Sequence, residues 1–280
     1  MTKKPKIGIM QGRLSYPSND SIQSFPVNSW REEFEKASKN QFHLIEWIFD
    51  ESKNPILDDD EISEILSLSK KYQIQINSVC ADYFMVRKLF REPKEEIFNN
   101  VQTLEKLIIN CKKLGITMIE IPLVDSSSIK TDDDQKQLKQ NIEKIIPSLE
   151  ETGIYLLLET DLPPQKFQNL LTNIDHPKVC ANYDSGNSAS LGYNVNEELL
   201  ILKSWIKNVH VKDRIFNGIT VPFGSGDTDF ESFFSSLSEI NYLGDLIIQG
   251  SRIPEEKLTP EQTCSEYRQF VTEYLNKYYQ

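Results

Sequence analysis

Residues 154–161 read Ile-Tyr-Leu-Leu-Leu-Glu-Thr-Asp, with Gly153 before them and Pro163-Pro164 soon after. An apolar run leads unbroken into Glu159. A run of this length between turn-forming residues is the pattern of a strand buried on both faces, as in a parallel sheet covered by helices. Glu159 stands at its C-terminal end. In a barrel of parallel strands, that end is where chemistry sits.

The same pattern extends in both directions. Short apolar runs at 6–10, 43–49, 74–81, 116–124, 179–184, 206–211 and 243–249 predict seven more strands. Helical periodicity fills the intervals, at 29–39, 58–72, 93–114, 132–152, 165–172, 194–203, 229–240 and 259–278. Ser29 and Glu32 have the spacing of a capping box, and acidic residues open the helix at Asp132. Gly115 and Gly153 supply C-terminal stops. Segments 11–26, 187–192 and 215–226 read as loops. Eight strands alternating with eight helices predict an α/β fold, a closed (β/α)8 TIM barrel forming one domain over 1–280. An open doubly wound sheet is the alternative. It calls for a Gly-rich turn after the first strand, and GxGxxG is missing.

Composition narrows the function. The net charge is −11, from 42 acidic and 31 basic residues, which argues against a nucleic-acid partner. No signal-peptide core follows the basic start, and no stretch approaches a membrane span. The expectation is a soluble cytoplasmic protein with no membrane partner. Cys80, Cys111, Cys180 and Cys264 are widely spaced, without a CxxC pair, and read as buried free thiols.

At the strand ends stand Glu159, Asp184, His210 and Gln249, on strands five to eight. Two carboxylates, an imidazole and an amide oxygen suit a divalent ion such as Mn2+, Mg2+ or Co2+, with Zn2+ an alternative. Such an ion holds two vicinal oxygens and polarises a carbonyl. Taken singly, the strand-end acids also read as loop residues or helix caps, and His210 as a core histidine. Only three histidines are present (His43, His176, His210), which excludes a rich zinc cluster.

In order along the chain, Ile7-Gly-Ile-Met-Gln-Gly-Arg13, Ile45-Glu-Trp47, Leu158-Glu-Thr-Asp161, Asn182-Tyr-Asp-Ser-Gly-Asn187, Val209-His-Val-Lys-Asp213 and Gly224-Ser-Gly-Asp227 give the sequence its family likeness. It resembles the sugar isomerase/epimerase superfamily of xylose isomerase-like barrels across essentially its full length. The resemblance implies a metal site on strands five to eight and enolisation of a sugar by carboxylates beside the metal. It implies Glu159 as ligand and base, and Asp184 and His210 as ligands. Asn187 falls where many relatives carry a substrate-touching histidine. Gln249 falls where epimerases of the family have a second glutamate, ligand and opposing acid/base at once. An amide coordinates through oxygen but exchanges no proton at neutral pH. One-base isomerisation, dehydration, or a proton donor drawn from Glu46, Asp82, Glu120 or Lys212 then becomes necessary.

Further residues join the expected site. Glu46 and Glu120 lie within apolar strands, where a carboxylate is paired or functional. Lys212 shares a strand face with His210 and reads as an oxyanion or phosphate binder, or as a partner of Asp213. Glu159, Lys212 and Glu46 are the expected catalytic groups. Arg13, Asp82, Glu120, Asn187 and Arg252 are the expected substrate contacts, with Arg13 and Arg252 as anion clamps. The Gly224-Ser-Gly-Asp227 loop offers backbone N–H groups to a phosphate, although Asp227 and Asp229 oppose one and Asp227 suits a helix cap. Trp30, Trp47, Tyr83 and Phe84 read as core, or as a wall for sugar C–H faces.

The expected partner is a small carbohydrate, and a homo-oligomer is compatible with the fold. Four readings follow: a metal-dependent isomerase or epimerase of a sugar or sugar phosphate; a dehydratase of a keto-polyol; a DNA-repair endonuclease, disfavoured by charge and histidine count; and a non-catalytic carbohydrate-binding barrel.

Overall fold

The computed structural model describes residues 4–17, 23–253 and 257–280; part of the expected loop 11–26 lies outside these residues. Eight parallel strands close on themselves in sequence order. They are β1 (Lys6–Met10), β2 (Leu44–Ile48), β3 (Ser78–Cys80), β4 (Met118–Leu123), β5 (Tyr155–Thr160), β6 (Val179–Asp184), β7 (Ile206–Val211) and β8 (Asp245–Ile248). Around them run α1 (Trp30–Lys39), α2 (Asp59–Tyr72), α3 (Tyr83–Val86), α4 (Lys94–Leu114), α5 (Asp132–Thr152), α6 (Pro164–Ile174), α7 (Ser185–Leu191), α8 (Val195–Leu202), α9 (Phe230–Glu239) and α10 (Pro260–Tyr278). The expected single-domain (β/α)8 barrel is the observed fold.

Burial on both sides explains the continuous apolar strands. One face of each strand fills the barrel and the other meets the helices. Gly8 sits in register with Leu44 and Ile247, and a methyl group at Gly8 would overlap both side chains. Trp30 and Trp47 pack edge to face between α1 and β2, with Trp47 Nε1 donating to Asn54 Oδ1 at 2.8 Å. Both are core residues and form no sugar wall. Tyr83 and Phe84 likewise pack on Phe49. All four cysteines are buried and free. No helix among the described residues is long and apolar enough to cross a membrane.

Some of the expected local signals do not form, and nearby side chains make longer-range contacts. Ser29 makes no capping hydrogen bond, so the Ser29–Glu32 box does not form. In the same first turn, buried Glu33 accepts the Gly12 N–H at 2.6 Å. Reciprocal boxes do form between Thr131 and Asp134 at the start of α5 and between Thr259 and Gln262 at the start of α10. Asp229, rather than Asp227, caps α9, and Asp227 instead accepts the Phe216 N–H. Ten α-helices replace the expected eight among the described residues, because α3 follows β3 and the expected loop at 187–192 is the helix α7. Asp184 ends β6 and at once accepts the Asn187 N–H at 2.8 Å, so it nucleates α7 without a linker.

Beneath α7, Tyr183 Oη donates to Glu198 Oε2 at 3.1 Å, and Ser188 Oγ donates to the same oxygen. Burial pushes the Glu198 carboxyl up to about 7 from the ordinary 4.5. The folded state therefore keeps a proton that the unfolded chain gives up. Stability from this group is complete below pH 4.5 and declines as pH rises toward 7. Glu198→Gln retains an acceptor oxygen without the charge. We expect it to raise stability above pH 7 by on the order of 1–3 kcal/mol and to leave it nearly unchanged at pH 4.5. Urea midpoints at the two pH values measure the difference; an equal shift at both would contradict it.

Candidate active site

A cavity of about 600 Å3 opens at the C-terminal mouth of the barrel, and Glu120, Glu159, His210, Lys212 and Gln249 stand on its wall. Glu159 and His210 stand one residue from the ends of β5 and β7, Lys212 and Gln249 just beyond β7 and β8, and Glu120 within β4, so the barrel itself sets their convergence.

Glu159 is buried, and both its oxygens accept amide hydrogen bonds. Asn182 Nδ2 donates to Oε2 and Asn187 Nδ2 to Oε1, each at 2.6 Å. Asn182 precedes Asp184 by two residues on β6 and so shares its strand face. On β7 the alternation Asn208, His210, Lys212 repeats this device. His210 lies opposite Asp184 in register. Its Nε2 is 2.7 Å from Glu46 Oε2, and Asn208 Nδ2 donates to Glu46 Oε1 at 2.8 Å. That pairing leaves Nδ1 facing Glu159 Oε2 at 3.2 Å and Asp184 Oδ2 at 3.7 Å.

The charges are strongly coupled. Burial opposes the imidazolium form of His210, yet Glu46, Asp184 and Glu159 outweigh it and hold the group well above the usual imidazole range. Burial, then the neighbouring Glu159 charge, pushes the Glu120 carboxyl well above the usual carboxylate range. For Asp184, burial works upward, but Lys212 and His210 prevail and hold it below the usual range. A positive charge among these carboxylates is what the arrangement calls for.

Several buried polar atoms on the cavity wall make no hydrogen bond. They are Glu120 Oε1 and Oε2, His210 Nδ1 and Gln249 Oε1. Glu120, Glu159 and His210 each offer one donor atom within 4.8 Å of the others. Buried acceptors without hydrogen-bond partners are costly. A divalent cation satisfies such atoms together, so the residues fit one.

The sequence-expected residues are distributed unevenly around this cluster. Glu159 and His210 lie at its centre, joined by Glu120, which the sequence placed at the substrate. Asp184 borders it, with Oδ1 taken by the Asn187 N–H and Oδ2 paired with Lys212 Nζ at 2.7 Å. Gln249 lines the cavity, its Nε2 donating to Gln23 Oε1 at 2.8 Å. Asp82 accepts from Gln23 Nε2 at 2.6 Å and lines the same wall.

Glu46 departs from its expected catalytic place. It is fully buried, does not line the cavity, and has both oxygens engaged by His210 and Asn208. Arg252 departs as well: it lines a separate cavity of about 350 Å3 beside Tyr267, and its guanidinium donates to the carbonyls of Gly12 and Ser15. Arg13 reaches the catalytic cavity, but its Nε donates to the Gly250 carbonyl. Both arginines tie loops together through these bonds. Lys212 pairs with Asp184 and leaves Asp213 to the Gly-rich loop.

Sequence reasoning passed over Arg214, whose Nη1 donates to Asn187 Oδ1 at 2.8 Å, and over Gln23, Asn182 and Asn208. Period-two spacing from Asp184 and His210 flags the two asparagines. Gln23 lies on a loop with no periodic signal.

The family model described as xylose isomerase-like TIM barrel matches residues 34–264. The Haemophilus influenzae protein named "Putative L-ribulose-5-phosphate 3-epimerase SgbU" is 27% identical over 264 residues, covering 88% of this chain and 89% of its own. An inosose dehydratase of Clostridium perfringens is 23% identical over 236 residues, covering 72% of this chain and 78% of its own. Among solved structures, the IolI protein with a bound zinc atom superposes with a TM-score of 0.78 at 17% identity, covering 98% of this chain and 99% of that one.

Proposed function

The chain belongs to the xylose isomerase-like TIM barrel family, and from that premise we propose that it is a metal-dependent isomerase or epimerase of a sugar or sugar phosphate, acting by proton abstraction next to a carbonyl. The observation that carries the reading is the meeting of Glu120, Glu159 and His210 at the barrel mouth, with donor atoms within 4.8 Å of one another. The names of relatives support it: SgbU as an epimerase, IolI as a zinc binder.

Glu159, His210 and Glu120 would hold the ion, with the Gln249 oxygen on the same wall and Asp184 beside His210. When bound, a divalent cation supplies Lewis-acid polarisation of the carbonyl and a template for two vicinal oxygens. Glu159 takes the proton from the carbon next to the carbonyl. Asn182 and Asn187 fix its carboxylate plane, so the base meets the C–H bond in one orientation. Lys212 holds Asp184 in place and contributes positive charge to the wall near the developing oxyanion.

Glu46 acts through His210. By accepting from Nε2 it fixes the tautomer that presents Nδ1 to the centre. Glu46→Gln is expected to weaken Mn2+ binding by about 10- to 100-fold in titration calorimetry. Unchanged affinity would remove that role.

Dehydration of a keto-polyol is the second reading. Gln249 favours it, because an amide cannot return a proton from the opposite face, and a relative is an inosose dehydratase. The deciding experiment incubates keto sugars and their phosphates with Mn2+-loaded protein in heavy water. Proton–deuterium exchange next to the carbonyl is expected in either case, and a product lighter by one water separates the lyase. Absence of exchange across the panel, with metal bound, would defeat both.

A further inference from the structure

We infer that the substrate is an uncharged keto-polyol, a free sugar or cyclitol rather than its phosphate ester; the inference rests on the isomerase or lyase reading of the same cavity. In barrels of this class, phosphate is commonly gripped by backbone N–H groups in the loops after strands seven and eight. Here the loop after β7 is already filled. Fully buried Asp213 accepts from Gly224 N at 2.8 Å and Gly226 N at 3.0 Å through Oδ2, and from Thr228 N at 3.1 Å through Oδ1. A methyl at Gly226 would collide with the Asp213 carboxylate, so the loop is wrapped around its own anion. The first turn of α9 is closed too, because Asp229 accepts the Ser232 N–H.

The cations on the cavity wall, among the described residues, are likewise committed. Lys212 pairs with Asp184. Arg214 donates to Asn187 and, through Nε and Nη2, to the Gly218 carbonyl. Arg13 donates to Gly250 O at 3.0 Å and to Gln23 Oε1 at 3.2 Å.

What remains on the wall repels a dianion and suits hydroxyl groups. Asp50, Glu51, Asp82 and Asp125 line the outer cavity. Asp50 Oδ2 accepts the Phe25 N–H at 2.8 Å, while its buried Oδ1 has no donor. Hydroxyl groups donate to carboxylates such as these, whereas a phosphate brings like charge to them. At the rim Val86 and Ile219 are 72% and 70% exposed, an apolar edge with no grip on an anion.

The test pairs free ketopentoses and ketohexoses with their monophosphates, using Mn2+-loaded protein in heavy water. We expect deuterium incorporation next to the carbonyl of a free sugar to exceed that of its phosphate by about 100-fold in apparent second-order rate, because a like-charged contact costs several kcal/mol. Millimolar inorganic phosphate is expected to leave the faster rate unchanged. Faster exchange with the phosphates overturns the inference while the isomerase reading stands. Competition by inorganic phosphate also overturns it. No exchange with either series removes the underlying reading, and the inference with it.

Discussion

Glu159→Gln is expected to lower kcat/KM by about 10^3-fold or more, because an amide cannot accept the proton that starts the reaction. The effect on the ion adds to this loss, since a neutral oxygen replaces a charged donor in the Glu120–Glu159–His210 cluster. There is also a structural component that must be told apart. Both Glu159 oxygens accept from amide groups, on Asn182 and Asn187. A glutamine turns an NH2 toward one of those donors and loses that bond, which costs about 1–3 kcal/mol when the site is buried. The melting temperature therefore falls by a few degrees while the fold persists. Activity is measured below that melting point, across a Mn2+ titration up to saturation, alongside proton exchange. A variant that keeps its exchange rate would exclude Glu159 as the base. A variant that loses activity only until more Mn2+ is added would make Glu159 a ligand and move the base elsewhere.

The barrel was legible because it depends on short-range patterns. The apolar run ending at Glu159, the left-handed stops at Gly115 and Gly153, and the alternation of strand and helix follow from neighbours in sequence. Strands β6 and β7 and helix α5 fall where the sequence placed them. The candidate site was partly legible for the same reason: a residue at a strand end faces the mouth once the barrel is known. The roles that escaped are relations between distant residues. Glu46 and His210 are 164 positions apart, and nothing near Glu46 in the sequence announces that its carboxylate meets that ring. Asp213 looks like a surface partner for Lys212, yet its acceptors serve three N–H groups 11 to 15 positions later. Glu33 is similar, accepting the Gly12 N–H across 21 positions.

Gln249→Glu is expected to change which product forms. In the native chain the amide commits its NH2 to Gln23, and Gln23 in turn donates its own NH2 to Asp82. The Gln249 oxygen is left buried without a hydrogen-bond donor on the wall of the catalytic cavity. A glutamate places oxygen where that NH2 was, so it faces Gln23 Oε1. Gln23 can turn its amide to donate instead, but Asp82 then loses the stronger of its two donors and keeps only the Cys80 thiol. The chain without metal is accordingly destabilised, by about 1–3 kcal/mol. Metal reverses the balance, because the new carboxylate adds charge beside three donor groups that already converge. Mn2+ therefore binds more tightly and raises the melting temperature more in the variant than in the native protein. The chemistry shifts with it. Glu159 removes the proton from one side, and a second carboxylate returns one from the other, which inverts the carbon. Native protein is expected to exchange deuterium without inversion, or to release water. The variant is expected to raise the share of inverted product by about tenfold, a difference of roughly 1.4 kcal/mol between competing barriers. Chiral chromatography of a single-turnover mixture reads that ratio. If the native protein already inverts its substrate efficiently, the amide is no barrier to epimerisation, and the returning proton must come from another group on the wall, with Asp82 and Glu120 the first to replace.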